Sequence, residues 1–237
     1  MKSPRLLITC EHGGNRIPAK YGPLFRRHRA ALESHRGYDP GALALARDFA
    51  ASLNAELVYA TTSRLLVELN RSPGHRQLFS EITGPLPEDE RERLLRRYYY
   101  PYREWVEAQG REAAEAGSRI VHVSSHSFTP VFDGDVRRAD VGLLYDPRRR
   151  AEVDFCLAWQ REIRSGAPKL VVRRNYPYRG YDDGLTTYLR RRYPGHVYCG
   201  VELEVNQKHA LGDAAAWRTL RKRLTASLRA ALGRSTI

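Results

Sequence analysis

Short apolar runs recur along this chain, separated by stretches with helical periodicity. Runs suited to β-strands lie at Leu6–Thr9, Glu56–Thr61, Leu65–Leu69, Ile120–Ser124, Val141–Tyr145, Leu170–Val172 and Val197–Val205. Between them, Gly41–Leu53 carries Leu43, Ala46, Phe49 and Leu53 at helical spacing, and Asp39-Pro40 before it reads as an N-cap followed by a proline at the first helical position. Pro87–Tyr99 and Tyr102–Ala116 predict two charged helices separated by Pro101, since proline disrupts a helix interior. Asp213–Leu232 places Trp217, Leu220, Leu224, Leu228 and Leu232 on one face, a stripe for core packing. This alternation predicts an α/β fold: a three-layer sandwich around a mixed, largely parallel central sheet. With no repeat or linker, residues 1–237 read as one domain, and Ser72–Pro87 as a loop within it. In such folds ligands gather at the carboxyl ends of strands.

Composition narrows the picture. A chain of 237 residues with 42% hydrophobic content can bury a sizeable core. No stretch approaches the roughly 20 apolar residues of a membrane span. The start, MKSPRLLITC, has too short an apolar run for a secretory signal, so the expected compartment is the cytoplasm. Cys10, Cys156 and Cys199 are scattered and odd in number, which argues against a disulfide framework or a thiolate metal site. The net charge of +13 raises nucleic acid as a partner. The basic residues are mainly arginine, though, and occur in short scattered clusters such as Arg148–Arg150 and Arg190–Arg192. A positive field equally favours a small anionic substrate.

Two histidines stand where apolar strands stop: His12 in LLITCEHGGNRIP and His126 in IVHVSSHSFTP. Neutral imidazole is a favoured zinc ligand, and catalytic zinc takes three protein ligands. Asn15, Asp39 and Glu11 are the candidates for the third. The Asn15 amide is neutral, Asp39 is also readable as a helix cap, and Glu11 points to the face of the strand opposite His12. Gly13 and Gly14 are expected to leave room for substrate. Of the other histidines, His28, His35, His75, His122, His196 and His209 lack comparable contexts, and His122 reads as packed within a strand.

The run after Thr61 ends on Asn70-Arg71, and an arginine at a strand end can clamp a carboxylate or steady an oxyanion. In YCGVELEVNQK, Glu202 and Glu204 are two apart on a strand and share one face. One of them is placed to act as general base and then acid. Asn175, Tyr178, Arg179, Gly180 and Tyr181 precede a short helix starting near Asp183, a grouping suited to a small anion.

Taken in order, CEHGGNRIP, GYDPGALALA, SRLLVELNRSP, VHVSSHSFTPVFDG, DVGLLYDP, NYPYRGYDDGLTT and VELEVNQK resemble the N-formylglutamate amidohydrolase family, relatives of zinc carboxypeptidases and aspartoacylases. The resemblance runs from about residue 6 to about residue 210. It implies a phosphorylase/hydrolase-like fold and metal-dependent hydrolysis of an N-acyl amino acid. Asn70 and Arg71 resemble the carboxylate-binding Asn-Arg pair of the carboxypeptidases. His126 resembles their later zinc histidine, and His12 takes the place of their first. Carboxypeptidases carry His-x-x-Glu at that first site, whereas here the fourth position is Asn15. The carboxylate ligand is therefore expected from Asp39. The family's glutamate aligns with Glu202 by its ELR-like context or, placed second, with Glu204 by its E-x-N context.

The expected activity is a zinc- (or other divalent metal-) dependent amidohydrolase removing the N-acyl group, N-formyl first, from an acidic amino acid such as N-formylglutamate. His12 and His126 with Asp39 or Asn15 would hold the metal, and Glu202 or Glu204 would move the proton. Asn70, Arg71, Asn175, Tyr178 and Arg179 would bind substrate, Arg71 also serving catalysis. Two other readings stand beside it. One is a metallopeptidase or deacylase acting on peptides or other N-acyl compounds. The other is a non-catalytic basic nucleic-acid-binding domain. No membrane partner is expected.

Overall fold

The computed structural model describes residues 4–234; the two ends of the span expected as one domain, 1–3 and 235–237, lie outside the described residues. The chain begins with strand β1 (Arg5–Cys10), then two single-turn helices, α1 (Gly22–Phe25) and α2 (Arg29–Leu32). Helix α3 (Ala42–Leu53), strand β2 (Glu56–Tyr59), helix α4 (Glu88–Leu94) and helix α5 (Tyr100–Glu115) follow. Strand β3 (Ile120–Phe128) leads into a small hairpin, β4 (Val131–Phe132) and β5 (Asp135–Val136). The rest comprises β6 (Val141–Leu144), α6 (Arg150–Gly166), β7 (Val172–Arg174), α7 (Leu185–Arg192), β8 (Tyr198–Asn206), α8 (Gln207–Ala210) and α9 (Ala214–Arg234).

The main sheet has six strands in the order β2-β1-β3-β8-β6-β7. Every neighbour pair is parallel except β6 against β8, so β6 and β7 run opposite to the rest. Alternate strand residues face different layers. Ile8, Cys10, Val121, Val123, Val201 and Leu203 join a core with Leu45 and Phe49 of α3, Phe155 and Trp159 of α6, and Leu224 and Leu228 of α9. Leu7, Ile120 and Tyr198 face the other layer, with Tyr102 and Val106 of α5 and Leu185 and Leu189 of α7. Helices therefore cover both faces, giving the expected three-layer α/β sandwich. Each fully buried large side chain here contributes roughly 1.5–3 kcal/mol by leaving water. The three cysteines are free and buried, and no helix among the described residues is long and apolar enough to cross a membrane.

Three expectations change. Leu65–Leu69 is no strand but a chain of turns, its consecutive apolar side chains shared between two cores. Pro101 does not separate two helices: a π turn over Leu95–Tyr99 joins α4 directly to α5, and Pro101 sits immediately after that turn, in the first turn of α5. The amphipathic segment Arg150–Gly166, not singled out above, forms α6.

Candidate active site

β1 and β3 are neighbours with Thr9 opposite Ser124, which brings the residues just beyond Cys10 level with His126. Asp39 arrives from the segment before α3, and its backbone N–H donates to the His12 carbonyl at 2.9 Å. Its side chain does not cap the helix. Gly41, in the left-handed region at φ +84°, occupies that position, and the carboxylate turns inward. Asp39 Oδ2 lies 3.3 Å from His12 Nδ1 and 3.0 Å from His126 Nδ1. One donor atom from each of His12, Asp39 and His126 lies within 4.8 Å of the others, and all three residues are buried.

The outer nitrogen of each ring is already engaged. His12 Nε2 is 2.5 Å from Glu68 Oε1. His126 Nε2 is 2.8 Å from Ser124 Oγ and 3.0 Å from Glu11 Oε2. Both Nδ1 atoms face Asp39 Oδ2, which also accepts from the Ser127 backbone N–H at 3.3 Å. Two imidazole nitrogens and a carboxylate oxygen are the donors a zinc or similar divalent ion takes, so the residues fit such an ion.

Burial alone would raise the carboxyl groups of Asp39, Glu11 and Glu68, yet each is held well below the usual carboxylate range. The His12 and His126 contacts do this for Asp39, His126 and Ser124 for Glu11, and Arg64 and His12 for Glu68. Arg64 links two of them, reaching Glu68 Oε2 at 2.6 Å and Asp39 Oδ1 at 3.4 Å.

Glu204 behaves oppositely. Burial pushes it up to about 8, with Asp39 and Glu202 adding to the rise against the opposing His126 and Arg64 charges. Its Oε2 is buried without a hydrogen-bond partner. Glu202, on the same face of β8, instead accepts from Thr186 Oγ1 at 2.6 Å. This geometry reverses the order in which the two glutamates were placed above: Glu204 is beside the donors and unspent, Glu202 is engaged at the rim.

A cavity of about 570 Å³ opens over the group, lined among others by Arg71, Asn70, Tyr178, Arg179, His35 and Phe132. Arg71 gives one nitrogen to the Asp183 carbonyl. Its own carbonyl accepts from Tyr99 Oη at 2.6 Å, while Asn70 Oδ1 accepts from Leu185 N at 2.6 Å. Tyr99 is the last residue of the π turn, so the helical join that absorbs Pro101 also fastens the Arg71 backbone. Tyr178 and Arg179 reach the cavity because the chain after β7 runs back over β6. A Cβ on Gly142 would stand 1.9 Å from the Tyr176 carbonyl oxygen, so only glycine admits this crossing.

Other candidates fall elsewhere. The Asn15 amide donates to the Leu32 carbonyl at 3.1 Å, outside the His12–Asp39–His126 group. Glu11 offers its carboxylate to His126 rather than to the shared centre. Asn175 does not line the cavity; at φ +48° its Oδ1 accepts from Tyr145 N and Gly180 N, holding the loop that carries Tyr178. Gly13 and Gly14 press against the Ala60 and Thr61 carbonyls instead of opening space for substrate. His122 packs between Thr9 Oγ1 and Tyr198 Oη. Glu68, Arg64, Ser124 and Phe132 escaped the sequence reading, and His35 was passed over; Glu68 was hidden in the run taken for a strand, with Arg64 just before it.

Buried histidine and carboxylate donors facing a carboxyl tuned to titrate near neutrality are the equipment of a hydrolytic enzyme, here on a mixed α/β sheet. Residues 4–211 match the model of the N-formylglutamate amidohydrolase family, and the chain belongs to that family. Among solved structures it is similar to gene product Atu2144 from Agrobacterium tumefaciens, with 30% identity, TM-score 0.78, and 95% of this chain and 91% of that one covered. It also shares the fold of N-formylglutamate amidohydrolase from Ralstonia eutropha JMP134, at 21% identity and TM-score 0.70 over 98% and 94% of the two chains. No curated protein sequence matches it. Family membership makes the chain an amidohydrolase and sets aside the reading as a non-catalytic nucleic-acid-binding domain.

Proposed function

We propose that the protein is a metal-dependent amidohydrolase that removes the N-acyl group, formyl in the first instance, from an acidic amino acid such as N-formylglutamate. The observation that carries this reading is the convergence of His12, Asp39 and His126, one donor atom from each within 4.8 Å of the others, with Glu204 on the adjacent strand. These three residues would hold a divalent ion, zinc by its donor preference, which supplies Lewis acidity to the amide carbonyl and makes water more acidic.

Glu204 moves the proton. Its unpaired Oε2 accepts a proton from the attacking water as the water oxygen bonds to the carbonyl carbon. Glu204 then returns that proton to the amide nitrogen as the C–N bond breaks, releasing the carboxylic acid and the free amine. A carboxyl tuned near neutrality can perform both halves. The Arg71 guanidinium takes the substrate carboxylate, its backbone fixed by Tyr99 and its neighbour Asn70 by Leu185. Tyr178 and Arg179 close the far wall.

Elemental analysis of the purified protein, together with turnover of N-formylglutamate against N-acetylglutamate and short peptides, tests the reading. Stoichiometric divalent metal and selective release of formate are expected. A metal-free preparation with undiminished turnover would refute metal dependence, and preference for peptides would refute the substrate.

A further inference from the structure

We infer that Glu11 with Ser124, and Glu68 separately, are positioning residues that hold the Nε2–H groups of the two histidines and so orient both rings with Nδ1 toward Asp39 Oδ2. This rests on the metal-site reading of His12, Asp39 and His126, but its hydrogen-bond argument stands on the chain alone.

The logic is a count of protons. Ser124 Oγ donates its single proton to Glu11 Oε2 at 2.6 Å. It has none left for His126 Nε2, 2.8 Å away, so that contact exists only if Nε2 carries the hydrogen and Ser124 accepts it. Glu11 Oε2, 3.0 Å from the same nitrogen, is a second acceptor with nothing to donate. His12 Nε2 faces Glu68 Oε1 at 2.5 Å, again an acceptor, so this nitrogen carries the hydrogen too. Both rings are therefore protonated on Nε2, and their Nδ1 atoms are the ones that confront Asp39 Oδ2.

The two carboxylates are held differently. Glu11 is fully buried, and its remaining oxygen accepts from Tyr102 Oη at 2.8 Å. Glu68 is fixed by the Arg64 guanidinium at 2.6 Å and by the Asn70 backbone N–H, which donates to Oε1 at 2.9 Å. Each stands on an element different from its histidine: Glu11 after β1 with His126 on β3, Glu68 in the turns after β2 with His12 after β1. The pairs thus set ring orientation across the junctions that bring the donors together. Removing an outer partner of a metal-ligating histidine typically costs 10–100-fold in affinity.

The test compares wild type with Glu11→Gln, Glu68→Gln and Ser124→Ala, the last keeping the question open should a buried glutamine prevent folding. Zinc affinity is read by competition with a chromogenic chelator. The imidazole N–H protons are read by NMR on metal-free, ¹⁵N-histidine-labelled protein. We expect two slowly exchanging Nε2–H signals in wild type. That of His126 should be lost in Glu11→Gln and weakened in Ser124→Ala, and that of His12 lost in Glu68→Gln, with a 10–100-fold weaker zinc Kd in each glutamine variant. Wild-type zinc affinity in folded glutamine variants, or Nδ1–H as the only protonated nitrogen in wild type, would overturn the inference. If wild type itself takes up no zinc, the metal reading fails, while the metal-free spectra still decide whether Glu11, Ser124 and Glu68 hold the Nε2–H groups.

Discussion

His126 and Glu204 face each other directly across the parallel β3–β8 ladder. The pairing sets one of the proposed donors beside a carboxyl group whose pKa burial, in the metal-free protein, pushes up to about 8. The Glu204→Gln variant should retain its metal and lose roughly 10²–10⁴-fold in kcat, the usual worth of a positioned acid–base group. Steady-state kinetics with metal analysis on the same sample checks this; a drop below tenfold would remove Glu204 from the chemistry.

The same substitution should stabilise the metal-free protein. The folded pKa of Glu204 lies above its unfolded value near 4.5, so its contribution is fully present at low pH and is lost as pH rises from about 4.5 to about 8. Glutamine has no such loss. Its advantage over wild type should grow across that window, up to about 5 kcal/mol. Urea unfolding of both proteins in chelator at pH 4.5, 6 and 8.5 measures it, and a constant difference would contradict the assignment.

Asp39→Asn should abolish metal uptake, because it removes the anionic oxygen that both Nδ1 atoms face. Asn15→Ala should leave metal content unchanged and cost only about 1 kcal/mol for the lost bond to the Leu32 carbonyl. Metal stoichiometry and Tm on the two variants discriminate these roles, with metal loss in Asn15→Ala the contrary result.

Arg71→Lys keeps the charge but not the fork that grips a carboxylate through two nitrogens. A rise in KM of roughly 10–100-fold for an acidic substrate is expected, matching about 1.5–3 kcal/mol for a charged hydrogen bond. An uncharged substrate amide should show little difference between variant and wild type. Equal KM changes for both substrates would argue that Arg71 only holds the Asp183 loop.

His122 provides a second pH dependence. Burial lowers its pKa to about 4, while the unfolded chain titrates near 6.5. Its contribution is complete above pH 6.5 and is lost as pH falls toward 4, amounting to about 3 kcal/mol. His122→Gln should flatten the acid slope of unfolding free energy in this range, measured against wild type at pH 7, 5.5 and 4.

Periodicity made the sheet legible: β1, β3 and β8 each appear as apolar runs, and the chemistry at their ends, His12, His126 and the two glutamates, was visible as polar residues where alternation stops. Strand register was not visible. Glu11 looked directed away from His12, yet its carboxylate and the His12 ring both meet His126, a convergence that only the β1–β3 pairing reveals. Glu68 was concealed because Leu65–Leu69 has the composition of a strand. Its backbone is instead buried in turns, where Leu65 and Leu66 pack with Tyr21, Phe25 and Leu94, and Val67 and Leu69 with the opposite layer. Local hydrophobicity reports burial there and is silent on conformation. Asp39 carried two readings, the helix cap being the more natural one from sequence, and the fold instead turns its carboxylate toward His12 and His126.

The reversal of direction at β6 divides the labour of the molecule. The strands that bring His12, His126 and Glu204 together run one way, and the loop bearing Tyr178 and Arg179 is delivered by the two strands that run the other. Reactivity and selectivity are thereby carried on oppositely running strands that join along the β6–β8 ladder, with the selectivity loop crossing back tightly over Gly142. The wall above Glu204 can be rebuilt residue by residue for a bulkier or differently charged substrate while the machinery beneath it stays untouched. Gly142 itself is the exception: filling that one position would push the two halves apart at once.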